Sequence, residues 1–145
     1  LVRVVDERTL LMPDRRGNQR IDSLRNIVRD PRVALLFLIP GVGETLRVNG
    51  RAELTTDPAL RASFAVEGRE PNVVLRITVA AVYFQCARAI TRSRLWDPAH
   101  HVPRHTLPST GTLTVAARDH KGDRSTFDAS AYDAALAERQ AKTLY

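Results

Sequence analysis

The sequence has one cysteine among its 145 residues, which excludes an internal disulfide. A chain without disulfides suits the reducing cytosol, and we expect a cytoplasmic protein. The longest apolar run, Val33–Ile39, is much shorter than the roughly 18 residues that indicate a membrane-spanning helix. We also expect no signal peptide, because no segment of that kind precedes the first strand-like residues. These absences predict a globular protein that does not act within a membrane.

The common catalytic and metal-binding motifs are missing as well. No G-x-S-x-G elbow, Walker pattern or Rossmann glycine pattern occurs. Cys86 has no obvious histidine partner, and we interpret it as a small buried hydrophobic residue. His100, His101 and His105 lie in a proline-flanked segment without a carboxylate or cysteine at ligand spacing, so we predict no metal site. The sequence offers no catalytic dyad of its own.

Lysine is scarce: apart from Lys121 and Lys142, all of the 22 basic residues are arginine, and the net charge is +6. The arginines are scattered along the chain, whereas a nucleic-acid binder typically clusters them and interleaves aromatic residues. Only Tyr83-Phe84, close to Arg88, resembles such a patch. Binding of nucleic acid or of another anionic surface is therefore an open but disfavoured alternative.

The first part of the chain alternates strand and helix patterns. Two apolar runs, Leu1–Val5 and Thr9–Met12, predict a β-hairpin. A short helix follows, with Asp22 or Ser23 as its cap. It should end before the Asp-Pro pair at 30–31, because the residue preceding a proline disfavours the helical conformation. The run Val33–Ile39 is apolar on both faces and predicts a central strand.

The clearest pattern lies in Glu44–Leu54, where apolar and polar residues alternate with period two and predict a strand with one buried face. Gly50 falls in the apolar register and predicts a bulge or a close backbone approach. A capped helix with proline in its first turn comes next, followed by a second long strand at Val73–Phe84. Six strands and little helix predict a mainly β, antiparallel fold, a small barrel with peripheral helices.

Residues 99–145 differ from the preceding residues in composition, and their first part is rich in proline and histidine. The stretch 112–127 is ambiguous, because its first residues alternate like a strand and its last residues resemble a loop. From about Ser130 we predict an amphipathic helix, capped by Ser130 or Asp128. One face of this helix would hold Tyr132, Ala135, Leu136 and Leu144.

A basic loop precedes the first predicted helix. Arg15, Arg16 and Arg20 surround the Gly17-Asn18 pair, which permits a tight backbone turn. The first N–H groups of a helix are unpaired, and an arginine beside them adds a forked pair of donors. This combination predicts a phosphate cradle, and the alternatives are solvated arginines or a general basic surface.

The order of these segments resembles the pyridoxamine 5′-phosphate oxidase-like family, the FMN-binding split β-barrel. The likeness rests on LLMPDRRGNQRIDSLRNIVRDPRVALLFLIPG followed by ETLRVNGRAEL. Further on, VYFQCARAITRSRLWDP is similar to a segment of an FMN-dependent subgroup. The resemblance implies a split-barrel FMN-binding domain at 1–98 and a linker and helical extension at 99–145 that packs on the barrel or on a dimer partner. It also implies FMN as cofactor, oxidoreductase activity on a small-molecule substrate, and a homodimer with two flavins at its interface.

The resemblance implies roles for individual residues too. Arg94 and Trp96 match positions near the substrate. The open alternatives are that Arg47 pairs with a neighbouring glutamate, and that Trp96 anchors the core or a dimer interface. The residues implied to bind FMN are Gln19 and Arg20 at the phosphate, Met12 and Pro13 against the ring, Thr45, Arg47, Phe84 and Gln85 near the ring, and Ser23, whose contact within FMN is not specified.

This sequence departs from the family pattern at two places. The family's N-terminal helix and first strands have no counterpart, and the start at Leu1 inside an apolar run leads us to expect that the natural protein continues upstream. Glu44 stands where the long strand normally has a basic residue, and the substrate-binding pattern of true pyridoxamine 5′-phosphate oxidases is not matched. We therefore do not predict that specific activity. A split barrel without flavin, serving as a binding or structural module, remains the main alternative.

Overall fold

The computed structural model describes residues 2–15, 17, 20–123 and 126–142. The chain divides into two compact units between Pro98 and Ala99. The first unit contains one antiparallel sheet in the order β1-β2-β5-β4-β3. Its strands are β1 (Arg3–Asp6), β2 (Thr9–Asp14), β3 (Arg32–Phe37), β4 (Thr45–Thr55) and β5 (Val73–Gln85).

An antiparallel sheet with flanking helices confirms the predicted fold class and is consistent with a split barrel. The described part of the chain has five strands, so the expectation of six was wrong. The hairpin β1–β2 and the long strands β4 and β5 confirm the corresponding patterns to within two residues. None of the described helices has the length and apolar character needed to cross a bilayer.

The described part of the first unit contains the α-helices α1 (Asp22–Arg29), α2 (Pro58–Ala62) and α3 (Arg88–Ser93). The carboxylate of Asp57 accepts a hydrogen bond from Leu60 N at 2.8 Å and caps α2, which has proline in its first turn as predicted. The predicted cap of α1 was wrong. Its N-cap residue is Ile21, and no side chain bonds to the first turn.

The core lies between α1 and one face of the sheet. Ile77 is fully buried there, with Val48, Ala52, Leu75 and Leu10 around it. Leu24 and Ile27 of α1 pack against this cluster. Burial of such side chains contributes about 1.5–3 kcal/mol each, which is why a short uncapped helix holds its place.

The opposite face of the sheet is covered at one end by α2. Val74 is fully buried on this face, and α2 packs against β5. Arg3 donates to the hydroxyl and carbonyl of Ser63 at 3.0 and 2.8 Å, and its guanidinium lies 4.0 Å from the centroid of the Phe64 ring. These contacts fasten the end of α2 to β1.

Strand β3 lies at an edge of the sheet, because it pairs with β4 alone among the described strands. The prediction of a central strand was therefore wrong. Leu36 is 50% exposed on the face that α1 does not cover. The apolar run that suggested burial continues past the end of the strand into Leu38 and Ile39, which are also exposed.

A bulge interrupts the pairing of the two long strands. Asn49 lies opposite Ala81 and Gly50 opposite Val79, so the register skips a residue of β5. A Cβ atom on Gly50 would lie 2.4 Å from the carbonyl oxygen of Thr78. Both consequences predicted for this glycine, a bulge and a close approach, are confirmed. The skip also places Val82 on the same face as Val79.

The second unit contains helices α4 (Thr110–His120) and α5 (Ala129–Lys142). Helix α4 resolves the ambiguous stretch in favour of helix up to His120, and Ser109 Oγ caps it by accepting from Thr112 N at 3.0 Å. Asp128 caps α5 by accepting from Ala131 N at 3.0 Å. Tyr132 and Leu136 are half-buried on α5, Ala135 is exposed, and Leu144 lies outside the described residues.

Candidate functional site

A cluster of polar side chains lies where β4 begins and β5 ends. Thr45 pairs with Gln85 across the two strands, and Arg47 stands two residues further along β4 on the same face. The Nε of Arg47 donates to Oε1 of Gln85 at 2.8 Å. We call Thr45, Arg47 and Gln85 the strand-end cluster. The structure thus brings together three of the residues that the resemblance implied near the flavin ring. The side-chain partner of Arg47 is the neutral Gln85 and not a neighbouring glutamate, which was the alternative considered for Arg47.

Thr45 is the exceptional member of the strand-end cluster. It is only 7% exposed, and its hydroxyl has no hydrogen-bond partner among the described residues. Leaving a buried donor or acceptor unpaired costs about 1–3 kcal/mol, and the large majority of buried polar atoms are therefore bonded. The unpaired hydroxyl lies on the same face of the sheet as one guanidinium side chain, Arg47, and one amide side chain, Gln85, so the strand-end cluster is a candidate site for a polar ligand.

The chain that follows β5 folds back onto the turn between β3 and β4. A Cβ atom on Gly43 would lie 2.8 Å from Cβ of Ala87, so glycine is required for this close packing. Trp96 Nε1 donates to the carbonyl of Val42 at 2.8 Å. These contacts hold α3 against the start of β4. The sequence patterns did not single out Gly43.

The other residues proposed for this end of the sheet are placed differently. Phe84 is 81% exposed and points to the face opposite Gln85, as successive strand residues must. Cys86 is exposed, so its interpretation as a buried residue was wrong. Arg94 ends α3 in the left-handed conformation with φ of 52°. Trp96 is half-buried and its indole N–H is already engaged with Val42.

The proposed phosphate residues lie at the start of α1. Arg20 and Ser23 are both exposed. No side chain caps α1, so no capping side chain bonds to the first N–H groups of the helix. We call Arg20, Ser23 and these N–H groups the helix-start cluster. Gln19, like Arg16, lies outside the described residues. Arg15 donates from one terminal nitrogen to the carbonyl of Phe64 at 2.6 Å, and its role in a phosphate cradle stays a prediction.

Met12 and Pro13 lie on β2 at the opposite end of the sheet from the strand-end cluster. Met12 packs its side chain against the core. Pro13 pairs with Val74 and Thr45 pairs with Gln85, so eleven residues of β5 (74 to 85) separate the two places. At about 3.3 Å per residue this is roughly 35 Å along the strand, more than the length of an FMN molecule. Within one protomer the structure does not bring Met12, Pro13 and the strand-end cluster together.

The chain matches a known protein family and aligns with solved structures. A sequence model of the family described as pyridoxamine 5′-phosphate oxidase matches residues 1–86. A 1.98 Å crystal structure of a histidine-to-alanine variant of HupZ from Group A Streptococcus aligns with a TM-score of 0.49 and 19% identity over 58% of this chain and 72% of that chain. The 1.70 Å structure of HupZ from the same organism aligns with a TM-score of 0.49 and 19% identity over 59% and 69% of the two chains. No curated protein sequence matches the chain.

Proposed function

Because the chain belongs to the pyridoxamine 5′-phosphate oxidase family, we propose that it binds FMN and acts as an FMN-dependent oxidoreductase on a small-molecule substrate. The observation that carries the proposal is the buried, unpaired hydroxyl of Thr45 beside the hydrogen-bonded pair Arg47–Gln85. Family membership alone would leave the cofactor open, because flavin binding is common in the family without defining it.

The strand-end cluster fits the pyrimidine edge of a flavin ring. That edge presents two carbonyl oxygens and one N–H, and so needs at least two donors and one acceptor. Thr45 supplies a hydroxyl that both donates and accepts. Gln85 uses its oxygen on Arg47 and keeps its amide NH₂ as a donor, while the two terminal nitrogens of Arg47 remain available. The donor set matches the ligand in number and kind.

When bound, FMN supplies the electron and hydride transfer that the chain's own residues lack. Arg47 contributes a charge that persists at any working pH, and its donors stabilise negative charge that develops at the pyrimidine edge. Thr45 and Gln85 orient the ring by fixing one hydrogen-bonding edge. The protein side of the reaction is therefore binding, orientation and electrostatics, which is consistent with the absence of a catalytic dyad in the sequence.

The helix-start cluster is proposed to hold the phosphate group. Arg20 provides a forked pair of donors and Ser23 a hydroxyl, next to the uncapped N–H groups of α1. Asp22 stands in the same first turn and opposes an anion there. Phosphate binding at this place therefore depends on the charge of Arg20, which makes Arg20 the sharper residue to test.

We propose that each FMN is held by two protomers of a homodimer. The strand-end and β2 residues lie too far apart along β5 to serve one flavin within a protomer, whereas a second copy can supply the missing half. Phe84 and Val82, 81% and 55% exposed on one face of β5, offer an apolar surface for that copy. The strand-end cluster of one protomer and its β2 residues, Met12 and Pro13, would then bind two different flavins.

The test is the visible absorption spectrum of the purified protein, followed by reconstitution with FMN and measurement of the mass in solution. A yellow dimer, or a colourless protein that takes up one FMN per chain and dimerises, supports the proposal. A monomer that takes up no FMN at saturating concentration contradicts it. The separation of the two residue sets and the engagement of Arg15 with Phe64 would then favour the second candidate, a flavin-free binding module.

A further inference from the structure

We propose that the side of α1 next to β4 carries a second binding site, for a small amphipathic organic anion, separate from the flavin site proposed above. A cavity of about 310 Å³ lies between α1 and β4. This volume is at the lower end of the range of small-molecule sites, about 300–1,000 Å³. The cavity is lined by Ile21, Leu24, Arg25, Val28, Arg29 and Leu54, which we call the α1 groove.

The walls of the α1 groove are apolar and open to water. Val28 of α1 is 75% exposed and Ile21, the N-cap residue, is 55% exposed, whereas Leu24 and Ile27 of the same helix pack against the core. Leu54 of β4 forms the floor and is half-buried. A concave surface of this kind favours the aliphatic or aromatic part of a ligand, because covering it removes apolar area from water.

Two arginines at the edge of the α1 groove define the polar end of the ligand. Arg25 and Arg29 stand four residues apart, so they lie on the same side of the helix. Neither guanidinium group has a hydrogen bond or ion pair within the described part of the chain, where the ion pairs involve other residues. Like charges at this spacing repel and destabilise a helix. The helix dipole accounts for Arg29 in the last turn, but it does not account for Arg25.

An apolar groove with two unpaired guanidinium groups at one edge selects a molecule with an apolar body and one carboxylate, sulfonate or phosphate group. The site is distinct from the helix-start cluster. Arg25 of the groove follows Ser23 by two residues and therefore projects about 200° around the helix from it. A ligand in the α1 groove and a phosphate at Ser23 would contact different sides of α1.

The probe for this site is anilinonaphthalene sulfonate, whose fluorescence rises when its apolar rings leave water. We expect saturable binding to the wild-type protein and a loss of affinity of about tenfold or more in the double variant Arg25→Gln/Arg29→Gln. The control is Arg88→Gln/Arg92→Gln on α3, which removes the same charge at the same spacing and should bind like the wild type. Val28→Asp places a carboxylate in the groove at an exposed position and should also abolish binding without unfolding the protein.

Two results would overturn the proposal. One is equal affinity of the Arg25→Gln/Arg29→Gln variant and the Arg88→Gln/Arg92→Gln control, which would place the probe on another apolar surface. The other is displacement of the probe by excess FMN, which would place it in the flavin site. The first result does not depend on whether the protein binds FMN, because a protein that takes up no FMN still reports on the α1 groove through the variants.

Discussion

Replacing Thr45 by valine should raise the stability of the FMN-free protein and weaken its binding of FMN. Valine keeps the β-branched shape and the strand preference of threonine, so the change removes only the hydroxyl. That hydroxyl is buried and unpaired, and its removal should recover about 1 kcal/mol of the 1–3 kcal/mol that such a group costs. At roughly 4 °C per kcal/mol for a domain of this size, Tm should rise by about 4 °C.

In the FMN complex the same substitution deletes a hydrogen bond to the ligand. A typical bond of this kind contributes about 0.5–1.5 kcal/mol, which corresponds to a roughly 2- to 10-fold weaker Kd for FMN. Thermal unfolding followed by circular dichroism measures the first effect. Quenching of flavin fluorescence on titration measures the second. The two effects have opposite signs, which a merely structural role for Thr45 would not produce.

Thr78→Val is the matched control. Thr78 lies on β5 and is exposed, so its hydroxyl is hydrated and its replacement should leave both Tm and the Kd for FMN nearly unchanged. A lower Tm for Thr45→Val, together with unchanged FMN affinity, would refute the reasoning. It would mean that the hydroxyl of Thr45 already has a partner and that the strand-end cluster does not face a ligand.

Three further predictions follow from other parts of the structure. Arg20→Ala should weaken FMN binding at least tenfold while the circular dichroism spectrum stays unchanged, and equal affinity would remove Arg20 from the phosphate site. Gly50→Ala should destabilise the protein by about 1–3 kcal/mol in urea unfolding, because the new Cβ would meet the Thr78 carbonyl oxygen at 2.4 Å; an unchanged midpoint would contradict the close approach. Hydrogen bonds from Arg32 lower the pKa of Asp30 from 3.8 to about 2. The stabilising contribution of the ionised Asp30 is therefore complete above about pH 4 and lost as the pH falls towards 2. Asp30→Asn should remove this part of the acid dependence of unfolding. An unfolding profile against pH identical to that of the wild type would contradict the prediction.

Local patterns were sufficient to predict much of the first unit. The alternation in Glu44–Leu54 placed β4 within a residue of its observed bounds, because a strand with one buried face must repeat every second residue. The cap and proline of α2 and the end of α1 before Pro31 were also predicted correctly, since these signals act over a few residues. The order of such segments was enough to indicate the family.

Other features depend on contacts between residues far apart in the sequence, and local patterns could not show them. An apolar run does not reveal how many neighbours a strand has, so β3 was expected at the centre of the sheet and lies at its edge. The residues next to Arg15 in sequence suggested a phosphate contact and did not show its hydrogen bond to the carbonyl of Phe64. The sequence left residues 112–127 ambiguous, because the first of them alternate like a strand. The structure forms helix α4 there, with Ser109 as its cap.

Residue patterns along the chain were enough to predict the strands with one buried face, the cap of α2 and the polar side chains from which a flavin site is proposed. Which of those side chains meet follows from the pairing of the strands in the folded chain. The bulge opposite Gly50 and the pairing of Thr45 with Gln85 place one set at one end of β5, while Pro13 pairs eleven residues away. The reason is physical: side-chain periodicity is encoded residue by residue, whereas strand register depends on the free energy of the whole sheet and is visible only when the strands are paired.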